Sequence, residues 1–148
     1  MSFTGSTRAG TLVAKESADT IKRVTLELGG KSPNLVFADA DLDTLVPAAV
    51  AECMFNTGQS CDAPTRLLVE RSCYDQVVEM AKKATEETWV GDPTEEGDHL
   101  GPLFDQIQYD RVQAMIKVGI DEGASLLAGG LGKPEGLETG WYVRPTLF

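Results

Sequence analysis

The sequence predicts an α/β fold, a mostly parallel sheet with flanking helices. Two observations predict it. Short runs of Val, Thr and Leu that stop at glycine or at turn formers alternate with longer stretches patterned as helices. Strand, helix and strand in succession favour parallel pairing. The length of 148 residues suits one ordinary domain. A domain of that size can bury about 68–70% of its unfolded surface.

The elements follow in order. "SFTGS" reads as the end of a strand, and "STRAGTLVAKESA" as a helix capped by Ser6 or Thr7. "RVTLELGG" is a strand that starts on β-branched Val24 and Thr25 and stops at Gly29 and Gly30. "PNLVFA" is a second short strand. "DADLDTLVPAAVAECMF" is a helix with acids at its start, where the helix dipole favours them. Pro47 suits that helix if its regular part begins close to Val46. "TRLLVE" is a strand. In "SCYDQVVEMAKKATEET" Ser72 and Asp75 stand at capping-box spacing, with Asp in place of Glu or Gln.

The second half is looser. "GDPTEEGDHLGP" is a loop. "FDQIQYDRVQAMIKVGIDEGA" is a helix with a broad apolar face of Ile107, Val112, Met115, Ile116 and Val118. "SLLAGG" and "YVRPTLF" are expected to be short strands, separated by the glycine-rich "GLGKPEGLETG". There is no internal repeat and no low-complexity stretch.

Composition excludes several functions. Hydrophobic residues make up 42% and charged residues 24%, the balance of a folded globular protein. With 13 basic against 23 acidic residues the net charge is −10, which repels a polyanion and argues against a nucleic-acid partner. The acidic patch in "TEETWVGDPTEEGD" reads as a solvated helix end and loop. No apolar run approaches the roughly 20 residues of a membrane span. The N-terminus "MSFTGSTRAG" lacks the regions of a signal peptide. Three cysteines without metal-type spacing, and one histidine, fit a reducing, cytoplasmic setting with no metal site.

Three constellations carry chemistry. In "FTGSTRAG" a strand enters a helix through small residues, and the free N–H groups there can receive a phosphate or simply form a structural turn. In "LELGGKSP" Glu27 lies in a leucine-rich strand, on a solvated face or turned into a cleft, and two glycines allow close approach to the backbone. In "FNTGQSCDAPTR" Cys61 sits among turn formers and polar residues. A structural cysteine is usually a small core hydrophobe, which Cys53 and Cys73, in or beside helices, resemble better. A nucleophilic cysteine needs access and thiolate character, and a turn next to a helix or base can supply both.

Together the three motifs, in this order, resemble the set that marks the NAD(P)-dependent aldehyde dehydrogenases. The separation of Glu27 from Cys61 agrees with the family's spacing, and "GPLFDQIQYDRV", "EGASLLAGG" and "GWYVRPTLF" are also similar to it. The resemblance covers essentially the whole chain. It implies that Cys61 is the nucleophile and Glu27 the general base, with a small-molecule aldehyde as substrate and NAD or NADP as cofactor. It implies further that Gly5 and Ser6 lie under the cofactor pyrophosphate. Thr7 and the rest of the turn to Gly10 support them, and the Leu28 backbone approaches the nicotinamide. Asn56, Gly58 and Gln59 shape the nucleophile loop, and Lys31, Ser32 and Pro33 form a local turn. Asp62 departs from the family, which more often has an uncharged residue there. Pointing inward it would raise the Cys61 pKa, and it is expected to point away.

The resemblance also implies a piece of a longer enzyme. Residues 1–29 match the last edge of an NAD(P)-binding domain, and residues 30–148 the first part of a catalytic domain. The adenosine-binding strands, an oxyanion-stabilising asparagine, a ribose-holding glutamate and an oligomerisation segment are expected outside it. Family members form homo-oligomers, and exposed apolar surface favours self-association here. Three further readings stand beside a free-acid-forming dehydrogenase. One is the acylating branch, which uses coenzyme A and generally lacks the glutamate of "ELGG". Another is a thiol hydrolase pairing Cys61 with His99. The third is a non-catalytic, self-associating fragment.

Overall fold

The computed structural model describes residues 1–148. Four short strands and four helices follow in this order: β1 (Ser2–Gly5), α1 (Thr7–Ala18), β2 (Thr25–Leu28), β3 (Pro33–Val36), α2 (Leu42–Met54), β4 (Arg66–Val69), α3 (Tyr74–Glu87) and α4 (Gln106–Asp121). The strands form two separate two-stranded sheets, β1–β2 and β3–β4, both parallel. Each pair is joined by a crossover helix, α1 or α2, as parallel neighbours require. The α/β class with parallel strands is as the sequence predicts. None of the helices is long and apolar enough to cross a membrane.

The α1 start follows from its cap. Ser6 is extended (φ −73°, ψ 151°) and its hydroxyl accepts the Ala9 N–H at 3.2 Å. Gly10 then brings α1 onto β2, because a Cβ there would meet the Leu28 side chain at 2.7 Å. Leu26 and Leu28 are half-buried and Glu27 between them is exposed, so strand alternation turns Glu27 to the side away from α1.

The core lies between α2 and α3, beneath β3–β4. Leu42, Val46 and Val50 on α2 face Cys73, Val77 and Ala81 at and along α3, with Val36 of β3 closing the cluster. On each side the members recur at the helical i, i+4 spacing, so two apolar stripes meet. Thr85, also buried, turns its hydroxyl back to the Ala81 carbonyl at 2.8 Å and leaves no donor unpaired.

Several expectations need correction. The α2 helix starts at Leu42, ahead of Val46, and Pro47 lies inside it. The proline has no N–H to donate to the Asp43 carbonyl, yet burial of Leu42 and Val46 holds the preceding turn helical. No capping box forms at α3: its start carries no side-chain cap bond, and the Ser72 hydroxyl donates to the Glu70 carboxylate. Glu70 also accepts the Ala38 N–H at 3.0 Å. The Ser72 hydroxyl first and that N–H second hold the Glu70 carboxyl below its ordinary pKa. On α4 only Ile116 is buried, while Ile107 (61% exposed) and Met115 (66%) face outward. The strands expected in "SLLAGG" and "YVRPTLF" reduce to one antiparallel bridge, Ala128 to Leu147. Glycines 129, 130 and 132, all at positive φ, turn the chain away after that bridge.

Only 18 of 148 residues are buried, which leaves one face of the β3–β4 sheet bare. Leu35 and Leu68, partners in register, are 58% and 51% exposed. Parallel sheets are ordinarily covered on both faces. Stability should therefore concentrate in the α2–α3 stripe. Val77→Ala is expected to lower unfolding free energy by on the order of 2 kcal/mol, and Ile107→Ala on α4 by less than about 0.5. Urea titration reads both, as a shift in midpoint at constant slope.

Candidate active site

The carboxyl end of the β1–β2 sheet and the loop that leads into β4 line one cleft of about 530 Å³. One wall is Thr4 and Gly5 at the carboxyl end of β1, with Glu27, Leu28 and Gly29 at the carboxyl end of β2. The facing wall is the loop from Gly58 to Asp62. Carboxyl ends of parallel strands are where open α/β sheets take ligands. The volume lies in the ordinary range for small-molecule sites.

Three left-handed residues in a row shape the loop wall. Asn56 (φ 51°), Thr57 (φ 57°) and Gly58 (φ 72°) follow Phe55, the residue that ends α2, and reverse the chain. Asn and Gly adopt this conformation readily, but β-branched Thr57 does so under strain. Side-chain bonds hold the turn. Thr57 Oγ1 donates to the Gly101 carbonyl at 3.0 Å, and Asn56 Nδ2 to the Gln59 carbonyl at 3.3 Å. Cys61 follows, exposed at the cleft.

Gly30 sets how close the walls come. A Cβ on Gly30 would lie 2.9 Å from the Cys61 carbonyl oxygen, whereas one on Gly29 would meet nothing within 4 Å. Of the two adjacent glycines, Gly30 is the one that admits the backbone of the other wall. Arg66, at the start of β4, fixes the same junction: Nε donates to the Lys31 carbonyl at 2.9 Å and the N–H to that of Ser32 at 3.3 Å.

The candidate catalytic and cofactor-binding residues lie in this cleft or directly beside it. Cys61 and Glu27 line the same cleft, with Gly5 and Leu28 beside Glu27. In register, Thr4 lies opposite Glu27 and Gly5 opposite Leu28. Ser6 and Thr7 open α1 immediately after Gly5, and Gly10 is packed under Leu28. The N–H groups of the first helical turn have no acceptor within the helix, and only that of Ala9 is taken by the Ser6 hydroxyl. The start of α1 thus offers donors to an anion beside the cleft, which fits the pyrophosphate of a dinucleotide. Asp62 also lines the cleft and is exposed, so its carboxylate is beside the thiol residue and in water.

The other thiols stand elsewhere. Cys73 is in the core, and Cys53 is half-buried on α2, where burial pushes its thiol pKa up. Cys53 lines a second, apolar cavity of about 250 Å³ between α2 and the end of the chain. His99 does not line the cleft. It stacks on Trp89 with ring centroids 4.6 Å apart, and Nε2 lies 2.8 Å from the Asp92 carbonyl. The pairing of Cys61 with His99 weighed from the sequence is therefore not formed. Sequence reasoning missed the links from the loop to Gly101 and from Arg66 to Lys31. Asn and Gly flanking Thr57 hinted at a left-handed turn, but nothing hinted at its distant partners.

Comparison with known proteins gives a consistent result. The aldehyde dehydrogenase family model matches residues 1–148. A 3-succinoylsemialdehyde-pyridine dehydrogenase from a Pseudomonas species is 53% identical over 148 residues, all of this chain and 31% of that protein. A crystal structure of an aldehyde dehydrogenase from Bartonella henselae superposes with a TM-score of 0.94 at 53% identity, over 98% of this chain and 30% of that one. A mutant of aldehyde dehydrogenase C from Pseudomonas syringae, complexed with NAD+ and octanal, has a TM-score of 0.93 at 50% identity, again over 98% of this chain and 30% of that one. The chain thus spans about 30% of the length of the proteins it matches.

The geometry orders the three thiols. Brief treatment of the native chain with iodoacetamide should label Cys61 first, Cys53 more slowly because of its raised pKa, and Cys73 last. Peptide mass spectrometry reads the order. Labelling of Cys73 ahead of Cys61 would contradict the arrangement described.

Proposed function

We propose, from the premise that the chain belongs to the aldehyde dehydrogenase family, that its cleft carries the nucleophile and the base of an NAD(P)-dependent oxidation of an aldehyde to a carboxylic acid. The observation that carries the reading is that Glu27, from strand β2 of one sheet, and Cys61, from the loop that leads into β4 of the other, line one cleft.

In this reading the Cys61 thiolate attacks the aldehyde carbon and forms a thiohemiacetal. Its own backbone N–H is one donor to the oxyanion. A bound nicotinamide supplies the hydride acceptor. Gly5 and Ser6 would hold the cofactor pyrophosphate at the start of α1, supported by Thr7 and by Gly10, which keeps that start against β2, and the Leu28 backbone would approach the nicotinamide. Oxidation leaves a thioester on Cys61. Glu27 then takes a proton from water, the water oxygen attacks the thioester carbon, and the acid departs as the Cys61 thiolate is restored. Its outward-turned side of β2, free of α1, leaves Glu27 reachable by that water. The glutamate favours water over coenzyme A as the acyl acceptor. The NAD+ and octanal bound to the Pseudomonas syringae enzyme support a dinucleotide and an aldehyde as ligands of the complete site.

Residues 1–29 serve as the edge of the cofactor domain and 30–148 as the first part of the catalytic domain. The division into two sheets supports that boundary. The bare Leu35 and Leu68 face supports the second reading, self-association of this chain without catalysis.

The cysteine and glutamate roles are testable without the cofactor. p-Nitrophenyl acetate acylates a thiolate, releasing p-nitrophenolate, and water must then clear the S-acetyl group. Cys61→Ala should remove the burst of p-nitrophenolate. Glu27→Gln should keep the burst and slow turnover by about 100-fold or more. Loss of burst and turnover together in Glu27→Gln would show that Glu27 activates the thiol instead.

Cofactor affinity of the 148-residue chain should be weak, and aldehyde-dependent NADH production should not exceed that of Cys61→Ala. One helix-terminus contact to an anion contributes about 0.3–1 kcal/mol, and micromolar binding needs about 8. Calorimetric titration with NAD decides it, and a low-micromolar dissociation constant would overturn the claim.

A further inference from the structure

The loop that carries Cys61 is exposed and built on three left-handed residues, so something must hold it. Gln59 is half-buried and lines the cleft, and both ends of its side-chain amide bond to backbone. Its Oε1 accepts the Phe104 N–H at 2.9 Å and its Nε2 donates to the Asn56 carbonyl at 3.1 Å. The backbone N–H of Gln59 goes to the same Asn56 carbonyl at 3.1 Å. A backbone N–H can only donate and a carbonyl only accept, so the two partners fix which way the amide points.

The far end of this link is firm. Leu103 is buried and its N–H donates to the Trp141 carbonyl at 2.9 Å. Thr57 reaches the same segment at the Gly101 carbonyl. The Phe104 ring is 86% exposed, so what Phe104 offers the loop is its N–H.

We infer that Gln59 is the positioning residue of the site: its amide clamps the nucleophile loop to residues 101–104 and so sets Cys61 opposite Glu27. The inference rests on the reading of Cys61 as nucleophile and Glu27 as base. An exposed thiolate can be acylated from many orientations. Deacylation is more demanding, because the S-acetyl carbon must stand where a water held by Glu27 can reach it. Loss of the clamp should therefore spare acylation and impair deacylation.

The test uses p-nitrophenyl acetate with the 148-residue chain, comparing Gln59→Leu, which keeps bulk without an acceptor, and Gln59→Glu, which keeps the acceptor for Phe104. Rates are taken from the high-pH plateau of a full pH profile, so that the new charge in Gln59→Glu, which raises the thiol pKa, does not enter. Gln59→Leu should keep the burst rate within threefold and lose at least tenfold in turnover, and Gln59→Glu should recover turnover to within threefold. Turnover of Gln59→Leu within twofold of the unmodified chain would overturn the inference while leaving the Cys61 and Glu27 roles intact. Equal loss in both variants would also overturn it. Turnover no faster than Cys61→Ala in the unmodified chain would overturn the underlying reading and the inference together. Iodoacetamide labelling of Cys73 monitors folding of each variant. If Gln59→Leu exposes Cys73, hydrogen exchange by NMR in the unmodified chain decides. The Phe104 N–H should then be protected at least tenfold over a free peptide, and exchange at the free-peptide rate would overturn the inference.

Discussion

The approach of the Gly30 backbone to the Cys61 carbonyl is the constraint on which the rest of the site depends. The two sheets share no strand and no ladder hydrogen bond. Glu27 belongs to one and the Cys61 loop leads into the other, so no regular structure sets their distance. A side chain on Gly30 would stand 2.9 Å from that oxygen and force the walls apart. Arg66 reinforces the contact by bonding to Lys31 and Ser32 on the other side of the same junction. The cleft is therefore a product of two backbones meeting, and Glu27 and Cys61 line it because they flank the meeting point.

The division of labour between α2 and the loop after it follows from that constraint. The helix is held by its buried stripe of Leu42, Val46 and Val50, even with Pro47 inside it. That rigid base lets Asn56, Thr57 and Gly58, just beyond Phe55, adopt left-handed angles that a free chain would avoid. The strain is offset by hydrogen bonds to residues far along the chain, Gly101 among them. Cys61 thus sits on an irregular segment between two firm anchors, as is usual for loops on a scaffold.

Much of this was legible in the sequence, for identifiable reasons. The Ser6 cap, the crossover helices and all four strands of the first half are local features, set by residue type within a few positions. The motif residues could be placed together because their order and spacing resemble a known set. What was not legible depends on burial. The apolar residues of α4 follow a helical period but meet little of the chain, so Ile107 and Met115 stay in water. Pro47 argued for a later helix start, and tertiary packing overrode it. The Ser72 hydroxyl donates to the Glu70 carboxylate beside it and accepts no N–H from the first turn of α3. Sequence patterns cannot report a partner that is 44 positions away, as Gly101 is from Thr57.

The left-handed run from Asn56 to Gly58 inverts the usual meaning of a substitution. Over most of a chain, replacing a residue by glycine loosens the folded state by roughly 0.5–1 kcal/mol relative to alanine, through added freedom of the unfolded chain. At Thr57 the native angles themselves cost about 1–2 kcal/mol, which glycine would not incur. The two terms nearly cancel or reverse. A saturation scan of position 57 scored for abundance would then rank glycine above the β-branched Val and Ile, the nearest relatives of Thr in shape, because all three lose the Gly101 hydrogen bond and only glycine escapes the backbone cost. Chemical similarity would be a misleading guide there, and the backbone angle a reliable one.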